Sequence, residues 1–269
     1  MKIILQYRVR LGDIVRIFPL AAHLAKKKHE VFIECLPKYQ SILNLIDYAK
    51  WKDPAQPLKD LDGKPLFDVL YPLQIWPELA NQYRTENPAR TFFDFVIEQH
   101  GADFKGAKRQ INFDRLPALE PILLRYGIPR EYSLACPVGF TEMMKGDRVC
   151  SIPIDFYIFE DWFHNRVRPR GGVFYLTPPG FVPNRRHVCV ADLAELATLI
   201  RHAQDFASIC SAPAVIASAW SEGKPLRESW HYVSPIHPRE RAQDDITAKG
   251  QIRWQVELNA AVPRIVPQP

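Results

Sequence analysis

A carboxylate follows the first apolar run of the chain, at a position where its type and spacing suit acid–base chemistry. The opening residues, MKIILQYRVRLGDIVRIFPL, predict a strand around Ile3 to Leu5, a loop with Gly12 and Asp13, and then a helix. In α/β domains ligands bind beyond the carboxyl ends of the strands, so a carboxylate in this loop points into a cleft. Asp13 is therefore the leading catalytic candidate. The alternative is that Asp13 only caps a helix that begins at Ile14.

The elements after this loop predict a β-loop-α-β unit. A mostly apolar helix is predicted over residues 14–28 and a buried strand over residues 31–35. The remaining predictions for this half are helices over 39–48, 88–99 and 116–126 and a strand over 67–71. Gly127 and Pro129 end the last of these helices, and this punctuation is the best domain boundary.

The pattern restarts beyond that boundary. Strands are predicted over 132–137, 172–176 and 206–210, and helices over 156–165, 193–203, 211–219 and 244–262. Asp192 can cap the helix over 193–203, because a short carboxylate satisfies the free amides of a first turn. Two successive β/α sets indicate an α/β protein with two Rossmann-like domains, 1–128 and 129–243, followed by a C-terminal segment, 244–269. Their mainly parallel sheets are expected to face one cleft.

The composition is ordinary for a folded protein, with a modest excess of positive charge. The 269 residues carry a net charge of +5, which favours anionic partners such as nucleotide phosphates, phosphorylated glycans, lipid headgroups or nucleic acid. No apolar run of about 18 residues and no secretory leader is visible, so we expect a cytoplasmic protein without a transmembrane segment. The cysteines lack CxxC spacing and are expected to be reduced and mostly buried. They are Cys35, Cys136, Cys150, Cys189 and Cys210.

Several common ligand motifs are missing from the sequence. There is no GxxxxGK[ST] phosphate loop, no GxGxxG fingerprint and no GxSxG nucleophile elbow. His164, His202 and His231 lack the spacing of metal ligands. We therefore expect no metal site.

Two stretches of the chain carry a pattern that is known from one family of enzymes. The first is MKIILQYRVRLGDIVRIFPLAAHLAKKKHEVFIEC, with a strand, a loop ending in Gly-Asp, a hydrophobic residue and a Pro-Leu pair. The second, weaker stretch is DLAELATLIRHAQDFASICSAPAVIASAWSEGKP, and CPVGFTEMMKGDR lies between them. These stretches resemble the heptosyltransferase-type GT-B glycosyltransferases. The resemblance implies a GT-B fold with a last helix that crosses back to the first domain.

The resemblance also implies roles for individual residues. Asp13 matches the family's general base, which a sugar hydroxyl needs because it attacks well only as its proton is removed. The acceptor side would be formed by Gly12, Arg10 and Arg16. The donor side would use cations and backbone amides to stabilise the negative charge of the leaving diphosphate, and a carboxylate for the ribose. The donor-side residues are Lys145, Arg148, Ser211, Ala212, Pro213 and Glu222.

The implied reaction is an inverting, metal-independent transfer from an ADP-sugar or UDP-sugar, with no required cofactor. The basic residues also have a simpler interpretation, in which Arg8, Arg10 and Arg16 pair with surface acids and Lys145 and Arg148 are solvated. At the donor side the chain departs from the family: Cys210 replaces an aspartate and Val215 replaces a histidine.

Three functions stay open at this point. The first is a glycosyltransferase that acts on a bacterial surface glycan, such as a lipopolysaccharide core or another lipid-linked glycan. The second is a phage-type DNA glycosyltransferase that acts on a hydroxymethylated base, which would need a basic groove for phosphates. The third is a non-catalytic relative that binds a nucleotide or a glycan.

Overall fold

The computed structural model of the protein describes residues 1–8, 11–73, 96, 98–108, 110–137, 141–142, 149–150, 156–176, 186–209, 212–217, 219–221 and 229–232. The strands are β1 (Lys2–Gln6), β2 (Glu30–Glu34), β3 (Lys50–Lys52), β4 (Val69–Pro72), β5 (Asn112–Phe113), β6 (Tyr132–Cys136), β7 (Thr141–Glu142), β8 (Val149–Cys150), β9 (Gly172–Leu176), β10 (His187–Val188), β11 (Phe206–Ile209), β12 (Trp220–Ser221) and β13 (Ser229–Tyr232). The α-helices are α1 (Leu11–Arg16), α2 (Phe18–Lys26), α3 (Leu119–Tyr126), α4 (Phe156–Trp162), α5 (Leu193–His202) and α6 (Ala212–Ala217).

The N-terminal sheet has four parallel strands in the order β3-β2-β1-β4. Ile3 and Leu5 of β1 lie beside Val31 and Ile33 of β2, and all four side chains are buried. Parallel strands covered by helices are rich in such apolar residues. The predicted β-loop-α-β unit is thereby confirmed.

The helix predicted over 14–28 is two helices, α1 and α2, which meet at Ile17. Pro19 explains the break, because its nitrogen carries no hydrogen to donate to the carbonyl four residues earlier. The first of the two helices, α1, begins at Leu11, which is three residues before the predicted start at Ile14. Asp13 therefore lies inside the first turn of a helix, and the interpretation of Asp13 as the cap before Ile14 is wrong.

The C-terminal sheet has five strands in the order β10-β9-β6-β11-β13, and every pairing in it is parallel. The predictions of a parallel sheet in each half are confirmed. Asp192 caps α5 as predicted, since its Oδ1 accepts hydrogen bonds from the amides of Ala194 (2.8 Å) and Glu195 (3.2 Å). Helix α3 ends at Gly127, which has the left-handed φ of 63° that glycine adopts without strain.

Other elements differ from the predictions. The segment Pro37–Leu45 is a 3₁₀ helix instead of the α-helix predicted over 39–48. The strand β3 was not predicted, and α4 continues as a π-helical turn over Phe163–Val167. The predicted helix over 88–99 falls largely outside the described residues, and the one over 244–262 falls entirely outside them.

The prediction that the cysteines are mostly buried agrees with the three thiols whose burial the structure describes. Cys35 and Cys136 are buried, whereas Cys189 is exposed in the loop after β10. Burial raises the pKa of Cys35 to about 12, so its thiol stays protonated at neutral pH. None of the helices in the described part of the chain combines the length and the apolar character that a membrane span needs.

The two sheets are joined by packing between helices. Helix α1 packs against α6, and the 3₁₀ helix Pro37–Leu45 packs against α5. Ser41 in that 3₁₀ helix accepts a hydrogen bond from the amide of Leu193 (2.9 Å), which is one of the free amides at the start of α5. The short strands β5 and β12 also pair in parallel. Helix α1, which carries Asp13, is thus packed against the C-terminal half.

Candidate functional site

Asp13 lies where β1 passes into α1, and two side chains hold its carboxylate. The hydroxyl of Tyr7 donates a hydrogen bond to Oδ2 (2.8 Å), and Nη1 of Arg16 donates to Oδ1 (2.9 Å). The side chains of Asp13 and Arg16 are 16% and 11% exposed. The carboxylate is therefore oriented by protein donors and still reaches solvent.

Tyr7 is part of this site although the sequence analysis did not select it. Its amide donates to the carbonyl of Glu34 (3.1 Å), which extends the pairing of β1 with β2 by one residue, and its side chain is buried. A tyrosine that ends a buried strand six residues before an aspartate is a weak signal in a sequence. The contact depends on the turn between them, which residue types alone do not specify.

Helix α1 packs closely against α6 at Gly12. A Cβ placed on Gly12 would lie 3.2 Å from Cγ2 of Val215 and 3.4 Å from Cα of Ala212. Gly12, which the sequence predicted from the first half, therefore lies beside Ala212, which it predicted from the second half, and Asp13 and Arg16 belong to the same helix α1. Val215, the position of the replaced histidine, is buried in this contact.

A second polar network lies at the carboxyl ends of β1, β2 and β3. Glu34 is fully buried, and its carboxylate accepts hydrogen bonds from Nε of Arg8 (2.6 Å), Nζ of Lys52 (3.1 Å) and the side-chain Nε2 of Gln6 (3.1 Å). Lys52 is buried too, whereas the side chain of Arg8 is 49% exposed. Buried charges need such partners, and here two cations share one carboxylate. The half-exposed guanidinium of Arg8 lies at the surface, next to Tyr7 in the chain.

The remaining predicted site residues lie outside the described residues. They are Arg10, Lys145, Arg148, Ser211 and Glu222. Within the described ranges, no group of three or more His, Cys, Asp or Glu side chains is close enough together to hold a metal ion.

A surface groove lies away from Asp13 and is lined by residues on both sides of the predicted domain boundary. It has a volume of about 790 Å³ and lies between the end of α3 and strands β9 and β10. Its lining includes Leu124, Gly127, Phe174 and Arg186, and it contains neither Asp13 nor the two residues that hold Asp13. We therefore place the candidate site at Asp13 because of the hydrogen bonds that hold its carboxylate, although Asp13 does not line this groove.

Comparison with known proteins bears on the fold. No family model and no curated protein sequence matches the chain. Among solved structures, a glycosyl transferase family 9 protein from Veillonella parvula is similar with a TM-score of 0.54 at 10% identity, over 97% of this chain and 95% of that one. The iron-containing dodecameric glycosyltransferase TibC from enterotoxigenic E. coli is similar with a TM-score of 0.51 at 16% identity, over 86% of this chain and 59% of that one.

The chain has the GT-B fold. This confirms the predicted class, an α/β protein with two Rossmann-like halves and parallel sheets. Helix α1 follows the carboxyl end of β1, and α6 follows the carboxyl end of β11. The two helices pack against each other. Asp13 follows β1 and Ala212 follows β11, so both lie where open α/β sheets bind their ligands.

Proposed function

We propose that the protein is a glycosyltransferase that moves a sugar from a nucleotide-sugar donor to an acceptor hydroxyl. One observation carries the proposal: the Asp13 carboxylate, held by Tyr7 and Arg16, lies where the two halves of a GT-B fold meet. A carboxylate so placed is a general base for an attacking hydroxyl. The similar solved structures are those of glycosyltransferases, which agrees with this chemistry.

In the proposed reaction, Asp13 takes the proton of the acceptor hydroxyl as its oxygen forms a bond to the anomeric carbon. The bond from that carbon to the diphosphate breaks on the opposite side, so the configuration inverts and a nucleoside diphosphate leaves. Lys145, Arg148 and the loop at Ser211 to Pro213 would stabilise the charge on the diphosphate without a metal ion, and Glu222 would bind the ribose. The donor is an ADP-sugar or a UDP-sugar.

The acceptor would lie on the N-terminal side, near Gly12 and Arg10. Arg8 supports an anionic acceptor, because its half-exposed guanidinium is anchored on the buried Glu34 and the residue lies next to Tyr7 in the chain. Arginine suits phosphate and carboxylate groups by its planar fork of donors. A phosphorylated bacterial surface glycan, such as a lipopolysaccharide core, has this chemistry.

A thermal-shift screen against ADP-, UDP-, GDP-, CMP- and dTDP-sugars tests the proposal. A ligand that binds only the folded state raises the melting temperature by mass action, so we expect a rise with one class of nucleotide. A folded protein that shows no shift with any donor contradicts the proposal and favours the non-catalytic alternative.

A second experiment distinguishes a glycan acceptor from a DNA acceptor. With the donor identified, transfer to truncated lipopolysaccharide and to hydroxymethylated DNA is compared at several salt concentrations. Transfer to the glycan alone is expected. Transfer to DNA with a steep loss of binding at high salt would replace the proposed acceptor by DNA.

A further inference from the structure

We propose that Tyr7 is a positioning residue that holds the Asp13 carboxylate for proton transfer. The inference rests on the proposed function, since it gives Tyr7 a part in that reaction. Tyr7 is not among the residues that the family resemblance pointed to, and its role follows from the geometry at the end of β1.

The hydroxyl of Tyr7 is fixed with respect to the N-terminal sheet. The residue is only 2% exposed, and its backbone is locked to β2 through the hydrogen bond to the carbonyl of Glu34. A tyrosine side chain has only two torsion angles for its ring, and close packing fixes both. The hydroxyl therefore presents its hydrogen to Oδ2 of Asp13 from one defined direction (2.8 Å).

The second donor to Asp13 comes from a different element. Arg16 lies one turn after Asp13 in α1 and donates to the other carboxylate oxygen, Oδ1 (2.9 Å). Two donors, one from the end of the sheet and one from the helix, fix the plane of the carboxylate. A carboxylate offers about four lone-pair positions, so positions for an incoming hydroxyl remain on both oxygens.

Tyr7 keeps its own proton throughout the proposed reaction. The proton that leaves the acceptor hydroxyl goes to Asp13, and the phenol hydroxyl stays a donor to the same carboxyl group. Its effect is geometric: a misplaced catalytic group can lose about 100-fold in rate. Removal of the Tyr7 hydroxyl should therefore reduce turnover and leave donor binding unchanged.

The chain provides a matched control for this change. The hydroxyl of Tyr126 donates to Oε2 of Glu195 (2.8 Å), and Arg125 pairs with the other oxygen of that carboxylate. This group has the same chemistry as the Tyr7, Asp13 and Arg16 group but joins α3 to α5. Tyr126→Phe removes an equivalent hydrogen bond without touching Asp13.

The experiment measures kcat, KM for the donor and the donor-induced rise in melting temperature for Tyr7→Phe, Tyr126→Phe, Asp13→Asn and the double variant Tyr7→Phe/Asp13→Asn. We expect kcat of Tyr7→Phe to fall about 10- to 100-fold, with KM and the donor-induced rise within about two-fold of the parent. Tyr126→Phe should keep its kcat. The double variant should be no slower than Asp13→Asn, because Tyr7 acts only through Asp13.

Asp13→Glu gives a second test that retains a carboxylate. Its extra methylene moves the oxygens away from Tyr7 and Arg16, so a large loss of kcat is expected here too. Full activity of Tyr7→Phe or of Asp13→Glu, with Asp13→Asn inactive, overturns the role of Tyr7 and leaves the proposed function intact. No donor binding and no transfer by the parent protein overturns the proposed function, and the role of Tyr7 with it.

Discussion

Hydrogen-bond donors compensate for the burial of carboxylates in this protein, and at Asp205 they also lower the pKa of the carboxyl group. Its side chain is 3% exposed and accepts hydrogen bonds from the amide of Arg170 (2.8 Å), from Nη2 of Arg170 (3.0 Å) and from the hydroxyl of Ser133 (3.1 Å). Burial alone would raise the pKa of Asp205, but the bonds from Arg170 and Ser133 outweigh it and hold the pKa below its ordinary value. The ionised form of Asp205 therefore stabilises the fold.

Asp205→Asn should lower the free energy of unfolding by about 1–3 kcal/mol at pH 7, because it removes hydrogen bonds to a charged group. The folded pKa is the lower one, so this stabilisation is fully present above the unfolded pKa of about 3.9 and is lost as the pH falls through the folded value. The difference between parent and variant should shrink below about pH 4 in urea denaturation. The exposed Asp62→Asn serves as control, and a difference that stays constant with pH would disprove the linkage.

At the scale of single residues, position in the sequence was enough to select Asp13 and Asp192. Each belongs to a local pattern, one after a strand and one before a helix. Glu34 and Lys52 were missed because their contacts depend on strand register, which places Glu34 beside Gln6 and Lys52. Tyr7 was missed because its contact with Asp13 depends on the turn between them. Register is decided by long-range pairing and is absent from local patterns.

At the scale of elements, the strands with continuous apolar runs were predicted well and the helix boundaries less so. Pro19 divides the first helix, although the apolar pattern continues across the break and hides it. The segment Pro37–Leu45 was predicted as an α-helix from its residue types, but it is a 3₁₀ helix that packs against α5. The contact between α1 and α6 was not predicted in detail, since it depends on how the two halves meet.

Gly12→Val tests this contact. The new side chain meets Cγ2 of Val215 and the backbone at Ala212, so we expect a loss of about 1–3 kcal/mol in the free energy of unfolding. Val215→Ala removes the methyl group Cγ2, which the new side chain at position 12 would meet. The double variant should therefore be more stable than the sum of the two single changes predicts, as measured in a double-mutant cycle. Strict additivity would mean that the two residues are not in contact.

At the scale of the whole molecule, the two halves share one hydrophobic core. Ile3 of β1, Val15 of α1, Leu134 of β6 and Ile216 of α6 belong to the same continuous cluster of buried side chains. The sequence predicted two Rossmann-like halves but gave no measure of how tightly they join. Apolar packing across the junction couples their stabilities.

We therefore expect one heat-absorption peak in differential scanning calorimetry. Its calorimetric enthalpy should equal the van't Hoff enthalpy, as it does for a single cooperative unit. Gly12→Val should move the whole peak to lower temperature because it disturbs the junction. Two resolved peaks, of which only one moves, would show that the halves unfold independently.

The central claim is that Asp13 is the base of a glycosyl transfer, and the most direct measurement compares the parent protein with Asp13→Asn. Transfer of a labelled sugar to truncated lipopolysaccharide is followed with the donor that raises the melting temperature, with Asp62→Asn as control. We predict that Asp13→Asn loses about 10²- to 10⁴-fold in kcat while its donor-induced rise in melting temperature is unchanged. Transfer by a folded Asp13→Asn at the rate of the parent would contradict the account.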